Sequence, residues 1–219
     1  MDLQKEANIL EENGIKNVYR EHKEKNIELE ILGRTKSLNL IGEFLYKNKK
    51  KNERYFLRIS VKNSKTKNKE LTVIMLNPSE KEIENDSDKI FVDKTITNVI
   101  KIAYENEYNQ LNILNLITII EPVSDNIKLK QITHSNIEFI KQFIESNKSD
   151  ILVAWGEKVK NNTRNEEVKS LIEFLKSKDN VFTFCPNKKD FPKHPARIDF
   201  DCCKNCSGKN GIKLVKYNF

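Results

Sequence analysis

The chain has 219 residues, 37% of them hydrophobic and 32% charged, with a formal net charge of +7. That length fits one domain, and the apolar residues fall in runs dense enough to make a core, which excludes a disordered chain. No apolar run is long enough to span a bilayer, and the N-terminus MDLQKEANILEEN lacks the basic and apolar regions of a secretory signal, so a cytoplasmic protein with no membrane partner is expected.

Residues 1–30 read as helical. Leu3, Ala7, Ile9 and Leu10 form a stripe, and Asn13-Gly14 is a stop signal. Residues 1–53 are expected to form a partly helical N-terminal extension on an α/β domain of residues 54–219. In that domain Tyr55 to Val61 is a β-rich run, and Asn63 to Glu70 is a charged turn. Leu71 to Leu76 (LTVIML) is continuously apolar, as suits a strand buried on both faces, and Asn77-Pro78 ends it. A polar loop runs to Val92. Asp93 then caps a predicted helix over 94–105, with Ile96, Val99, Ile100 and Ala103 on one face. Leu111 to Ile120 (LNILNLITII) is the next strand, and 133–147 is an amphipathic helix. Ile151 to Trp155 is a short buried strand closed by Gly156, 166–178 is a helix, and Val181 to Phe184 is the last core strand. The loop PNKKDFPKHPARI follows it.

This alternation predicts a three-layer α/β domain with a mostly parallel central sheet. Ligand sites in such sheets lie beyond the carboxyl ends of the strands. The loops there begin at Asn77, after Leu116, at Trp155-Gly156 and at Cys185, and the unusual polar residues cluster at these four points.

Several chemistries drop out. Glycine numbers six, and there is neither a G-x-x-x-x-G-K-[ST] nor a G-x-G-x-x-G phosphate cradle. No G-x-S-x-G elbow, no H-E-x-x-H pair and no deaminase signature is present. The four cysteines are Cys185, Cys202, Cys203 and Cys206. The Cys203–Cys206 spacing matches half of a zinc knuckle, but no second such pair exists. No cofactor is therefore expected. A zinc ion or iron–sulfur cluster on these thiols is the alternative to four reduced thiols.

What remains is MLNPS, followed by VDKTI, NLITI, VAWG and PKHP. In this order they resemble an uncharacterised bacterial domain family and, beneath it, the uracil-DNA glycosylase superfamily. The likeness spans roughly residues 54–198, and LNPSE is similar to that superfamily's water-activating motif. The resemblance implies that Asn77 and His194 are catalytic, and that Asn115 reads the base beside Pro78, Ser79 and Phe91. It also implies DNA contacts from Trp155, Gly156, Lys158, Lys193, Pro195 and Arg197. Two departures stand out: Ser79 occupies the place of a glycine in the mismatch-specific branch, and His-Pro-Ala-Arg replaces His-Pro-Ser-Pro.

Each feature alone has a plainer reading. Asn77-Pro78 makes an ordinary turn, Asn115 an amide bonded to a neighbouring loop, Trp155 and Phe91 core, and His194 an exposed imidazole without a role. The joint arrangement favours a monomeric DNA glycosylase that flips and excises a damaged or modified base. A hypermodified base of phage DNA, attacked in antiviral defence, falls within that class. The alternative is a non-catalytic nucleic-acid or nucleotide-binding module of the same fold, and a third reading is a metal-linked structural protein.

The charge is distributed in three clusters. Lys188, Lys189, Lys193 and Arg197 surround the His-Pro pair, and Lys158, Lys160 and Arg164 follow Trp155-Gly156. Both fall at predicted strand ends, where phosphates would be gripped. Lys47 to Lys69 holds ten basic residues with only Glu53 as an acid, a pattern usual for a solvated hairpin.

Overall fold

The computed structural model describes residues 3–31, 34–62, 69–78, 93–121, 128–159, 164–184, 191–198, 207–208 and 211–219. After helix α1 (Gln4–Glu12) come strands β1 (Tyr19–Ile31), β2 (Arg34–Tyr46), β3 (Arg54–Val61) and β4 (Glu70–Met75). Then α2 (Lys94–Glu105), β5 (Gln110–Asn115), α3 (His134–Ser146), β6 (Asp150–Val153), α4 (Glu166–Lys176) and β7 (Val181–Phe184) alternate. Short strands β8 (Ser207–Gly208), β9 (Gly211–Ile212) and β10 (Leu214–Lys216) close the chain.

Eight strands form one sheet in the order β1-β2-β3-β5-β4-β6-β7-β10. Its centre, β5-β4-β6-β7, is parallel, while β1-β2, β2-β3, β3-β5 and β7-β10 pair antiparallel. The sheet is thus mixed, and the expected parallel majority is corrected. The helical crossovers β4–α2–β5 and β6–α4–β7 join parallel neighbours, while the β1–β2 and β2–β3 hairpins join antiparallel ones.

One face packs on α1, α3 and α4 through Leu10, Phe139, Phe143, Leu171 and Leu175. The other packs on α2 through Ile96, Val99, Ile100 and Ala103. That makes three layers. β4 lies between β5 and β6 with helices on both faces, so five consecutive residues, Leu71 to Met75, are buried.

Side-chain caps start α2, α3 and α4. The Asp93 carboxylate accepts the Thr95 N–H at 2.6 Å, Thr133 Oγ1 accepts that of Asn136, and Asn165 Oδ1 accepts that of Val168.

The N-terminal expectation changes most. Residues 4–12 are helical, but Gly14 turns the chain at φ +80, and 19–31 and 34–46 form a long antiparallel hairpin in the main sheet. Ile27, Leu29 and Ile31 are buried at a period of two, against α2. A buried ion pair fastens α1. Arg58 Nη2 of β3 donates to Glu6 Oε1 at 2.5 Å, and Arg58 Nε donates to Asn112 Oδ1 at 3.2 Å.

Candidate active site at the carboxyl ends of the parallel strands

A cavity of about 420 Å³ opens at the carboxyl ends of β4 and β6. Leu76 and Asn77 line it from β4, Trp155 to Lys158 from β6, and Phe191, Lys193, His194, Ala196 and Arg197 from the loop after β7. Its size falls within the ~300–1,000 Å³ range of small-molecule sites. Three loops predicted from topology alone therefore meet around one space.

Asn77 is held by its amide nitrogen. Nδ2 donates to the Pro78 carbonyl at 3.0 Å and to the Glu121 carbonyl at 3.3 Å. Two carbonyl acceptors fix which end of the amide is nitrogen. Oδ1 accepts nothing from the described residues, so it is the atom available to a water or a ligand. Pro78 is buried behind it and is not among the described residues that line the cavity.

His194 is half-buried, contrary to the exposed imidazole of the plainer reading. Its Nδ1 accepts the Ala196 N–H at 3.2 Å and so caps the short 3-10 turn Pro195–Arg197. An accepting Nδ1 puts the proton of the neutral ring on Nε2. Burial holds the imidazole below its ordinary value of 6.5; Asp93 pulls the other way, and Arg197 adds to the lowering. His194 is therefore neutral near pH 7, with an Nε2–H to donate.

Two neighbours set its position. Asn98 of α2, itself buried, donates to the Pro195 carbonyl at 2.8 Å. Gly156 has φ +81, and a Cβ there would stand 3.0 Å from His194 Cβ. Glycine serves twice at this position, for the left-handed backbone and for the close approach.

Trp155 is only 1% exposed, yet it forms part of the wall, and its indole nitrogen has no hydrogen-bond partner among the described residues. Asn115 differs from expectation in place. It is fully buried at the register of Met75, two residues before Asn77, and it is not among the described residues lining the cavity. Neither side-chain atom of its amide has a partner among the described residues. A buried amide is ordinarily hydrogen-bonded, so the end of β5 carries hydrogen-bonding capacity that the described residues do not use.

Arg197 Nη1 lies 2.6 Å from Glu157 Oε1 in an exposed pair, so its charge is matched locally. Lys158 and Lys193 also line the cavity, which makes its wall basic.

One wall residue and one buried cation away from the described wall were not read from the sequence. Phe191 supplies an aromatic wall, and its signal was an aromatic residue three positions before the His-Pro pair. Arg54, at the start of β3, is wholly buried, and burial lowers its guanidinium to about 10 against the pull of Tyr46 and Asp93. It remains a cation at neutral pH, and Asp93 acts on both Arg54 and His194.

Ser79, Phe91, Lys160, Lys188, Lys189 and the four cysteines, Cys185, Cys202, Cys203 and Cys206, lie outside the described residues. Among the described residues no three His, Cys, Asp or Glu side chains group as metal ligands, and no helix is long and apolar enough to cross a membrane.

A family model described as "Protein of unknown function (DUF1643)" matches residues 54–196. No curated protein matches the sequence. Among solved structures, a chain described as a "putative acetyl xylan esterase" from Bacteroides fragilis is similar at 12% identity and a TM-score of 0.34. The likeness covers 94% of this chain but 61% of that one, and at this TM-score it carries no argument.

Proposed function

The chain belongs to the DUF1643 family, whose matched span contains every described wall of the cavity except Arg197, and we propose that this cavity is the active site of a DNA glycosylase resembling the uracil-DNA glycosylase superfamily. The enzyme takes a damaged or modified base out of the stack and hydrolyses its N-glycosidic bond. Hypermodified bases of phage DNA fall within this class, in an antiviral role. The observation that carries the reading is that Asn77 and His194, 117 positions apart in the chain, line one cavity with two aromatic side chains and two lysines.

The chemistry follows from what each group can do. The C1′–N bond breaks with its electron pair going to the base. Water oxygen bonds to C1′, and the water's proton ends on the departed base. Asn77 Oδ1 orients that water without deprotonating it, which suffices when the sugar is already cationic. His194 donates through Nε2–H to the charge developing on the base. Trp155 and Phe191 offer flat walls for a flipped base, and extrusion costs least for a mismatched or damaged one. Lys158 and Lys193 attract the backbone. The reaction needs no cofactor, and we propose that a monomer carries it out in the cytoplasm.

One observation favours the second reading, a non-catalytic binding module. The one carboxylate among the described cavity walls is Glu157, already engaged by Arg197, so the described walls offer Asn77 no free carboxylate as a general base. The two readings separate on DNA carrying a panel of altered bases, treated with alkali to cut abasic sites. The glycosylase produces breaks that vanish in Asn77→Ala while DNA binding persists. Binding without breaks on every substrate supports the module instead.

A further inference from the structure

The basic run from Lys47 to Lys69 is divided by the fold. β3 runs antiparallel to β5, with Phe56 opposite Leu114, so the β2–β3 turn lies at the sheet end where the cavity opens. Three contacts fix it there. The Arg54 N–H reaches the Thr118 carbonyl at 2.8 Å, the Ile120 N–H reaches Asn52 O at 3.0 Å, and Glu53 bridges to Ile119. Lys47, Lys49, Lys50 and Lys51 are therefore on the cavity's end, while Lys62 and Lys69 sit at the opposite end and Arg58 is buried.

The turn is built rather than loose. The Lys50 N–H donates to Asn48 Oδ1 at 2.8 Å, the Lys51 N–H to Asn48 O at 3.1 Å, and the Lys47 N–H to Glu53 O at 3.0 Å. Lys47 pairs with Glu53 and Lys51 with Glu21, each at 2.6 Å. Lys49 and Lys50, at the tip, are exposed and have no carboxylate partner among the described residues. Two cations thus stand together on a structured support, with no carboxylate among the described residues to match them.

The span to the cavity follows from the strand order. β3 is two strand spacings from β4, and β2 is four from β6. At about 4.8 Å per spacing, the tip lies roughly 10–20 Å from the cavity mouth. One DNA strand places a phosphate about every 3.4 Å along the axis, so the tip meets the backbone roughly three to six nucleotides from a base in the cavity.

We propose that the β2–β3 turn is a second phosphate contact for the DNA bound at the cavity, with Lys49 and Lys50 gripping the backbone to one side of the target nucleotide. This rests on the reading of the cavity as a DNA site. Alone, the cavity lysines hold the nucleotide being flipped; the turn adds register on the flank.

The test is a salt titration of the full chain binding a fluorescent 20-base-pair duplex, followed by anisotropy. Wild type is compared with Lys49→Ala/Lys50→Ala and with the far-end variant Lys62→Ala/Lys69→Ala. Losing two phosphate contacts lowers the slope of log K against log salt by about 1.8, whereas the far-end variant keeps the wild-type slope. Both lysines of the tip are exposed, and equal thermal midpoints for variant and wild type verify the fold. A wild-type slope in Lys49→Ala/Lys50→Ala overturns this proposal and leaves the cavity reading intact. No salt-dependent binding by the wild type overturns both.

Discussion

Replacing Gly156 with alanine tests the geometry around His194 directly. The residue sits at φ +81, where an L side chain costs about 1–2 kcal/mol. A second cost comes from contact, because the new Cβ would stand 3.0 Å from His194 Cβ, and the neighbour must yield by a few tenths of an ångström. That atom is no flexible side-chain end. It is bound to a backbone held by the Asn98–Pro195 hydrogen bond and by the Ala196 N–H on Nδ1.

Gly14 provides the matched control. Its φ is +80, and nothing lies within 4 Å of where its Cβ would be. Alanine at either position also removes similar freedom from the unfolded chain, so that effect cancels between the two. Gly14→Ala is expected to cost about 1 kcal/mol, and Gly156→Ala about 2–3 kcal/mol. For a chain of this size each kcal/mol lowers Tm by roughly 2–4 °C, which puts Gly156→Ala about 4–12 °C below wild type and Gly14→Ala about 2–4 °C below. Thermal unfolding by circular dichroism reads both. Equal losses for the two variants would refute the close packing of His194 on Gly156.

Three further outcomes follow from buried polar groups. Glu6→Ala leaves the buried Arg58 guanidinium with Glu43 at 3.8 Å as its remaining carboxylate, and is expected to cost about 3 kcal/mol; a Tm drop under about 2 °C contradicts this. Asn98→Ala removes one of two donors to the Pro195 carbonyl, which keeps the Ile198 N–H at 3.2 Å, and should cost about 0.5–1.5 kcal/mol while slowing base excision, whereas a variant with wild-type excision would show that the loop needs no such tie. His194 is held below its ordinary 6.5 mainly by burial, so the unfolded chain takes up the proton first as pH falls. Its stabilising contribution is present above that value and is lost as pH drops from 6.5 toward the folded pKa. Denaturant unfolding should show wild type losing stability more steeply than His194→Ala over that window, and parallel curves would contradict it.

The parallel centre of the fold was legible because burial on both faces leaves a plain mark. β4 and β6 read as unbroken apolar runs, and α2 carries both its stripe and its Asp93 cap. The β1–β2 hairpin was not legible. Its strands lie toward the sheet edge, where Arg20, His22, Glu24 and Asn26 face solvent, and charge masks the alternation of Ile27, Leu29 and Ile31. LNILNLITII was read as one strand through Ile120. Its regular pairing ends at Asn115, although Leu116 and Ile117 still donate to the Met75 and Leu76 carbonyls.

At the site, topology was enough to bring Asn77, Trp155, Gly156 and His194 together, since strand order alone puts their loops at one end. Side-chain direction was not accessible in the same way. Asn115 belongs to the right strand end, but it sits a pleat too early to form the described wall. Arg197 looked like a free cation because Glu157, its partner, is forty residues away in the chain. Lys47–Lys69 reads only as a solvated hairpin, because the place of Lys47–Lys51 at the cavity's end depends on β3 being antiparallel to β5.

The most direct measurement of the central claim is release of free base from intact DNA carrying modified bases, quantified by mass spectrometry under single-turnover conditions. Wild type should liberate the modified base and leave an abasic sugar. Asn77→Ala and His194→Ala should each release it at least about 100-fold more slowly while still binding the DNA. Wild-type protein that binds the same DNA and liberates no base from any of it would contradict the account.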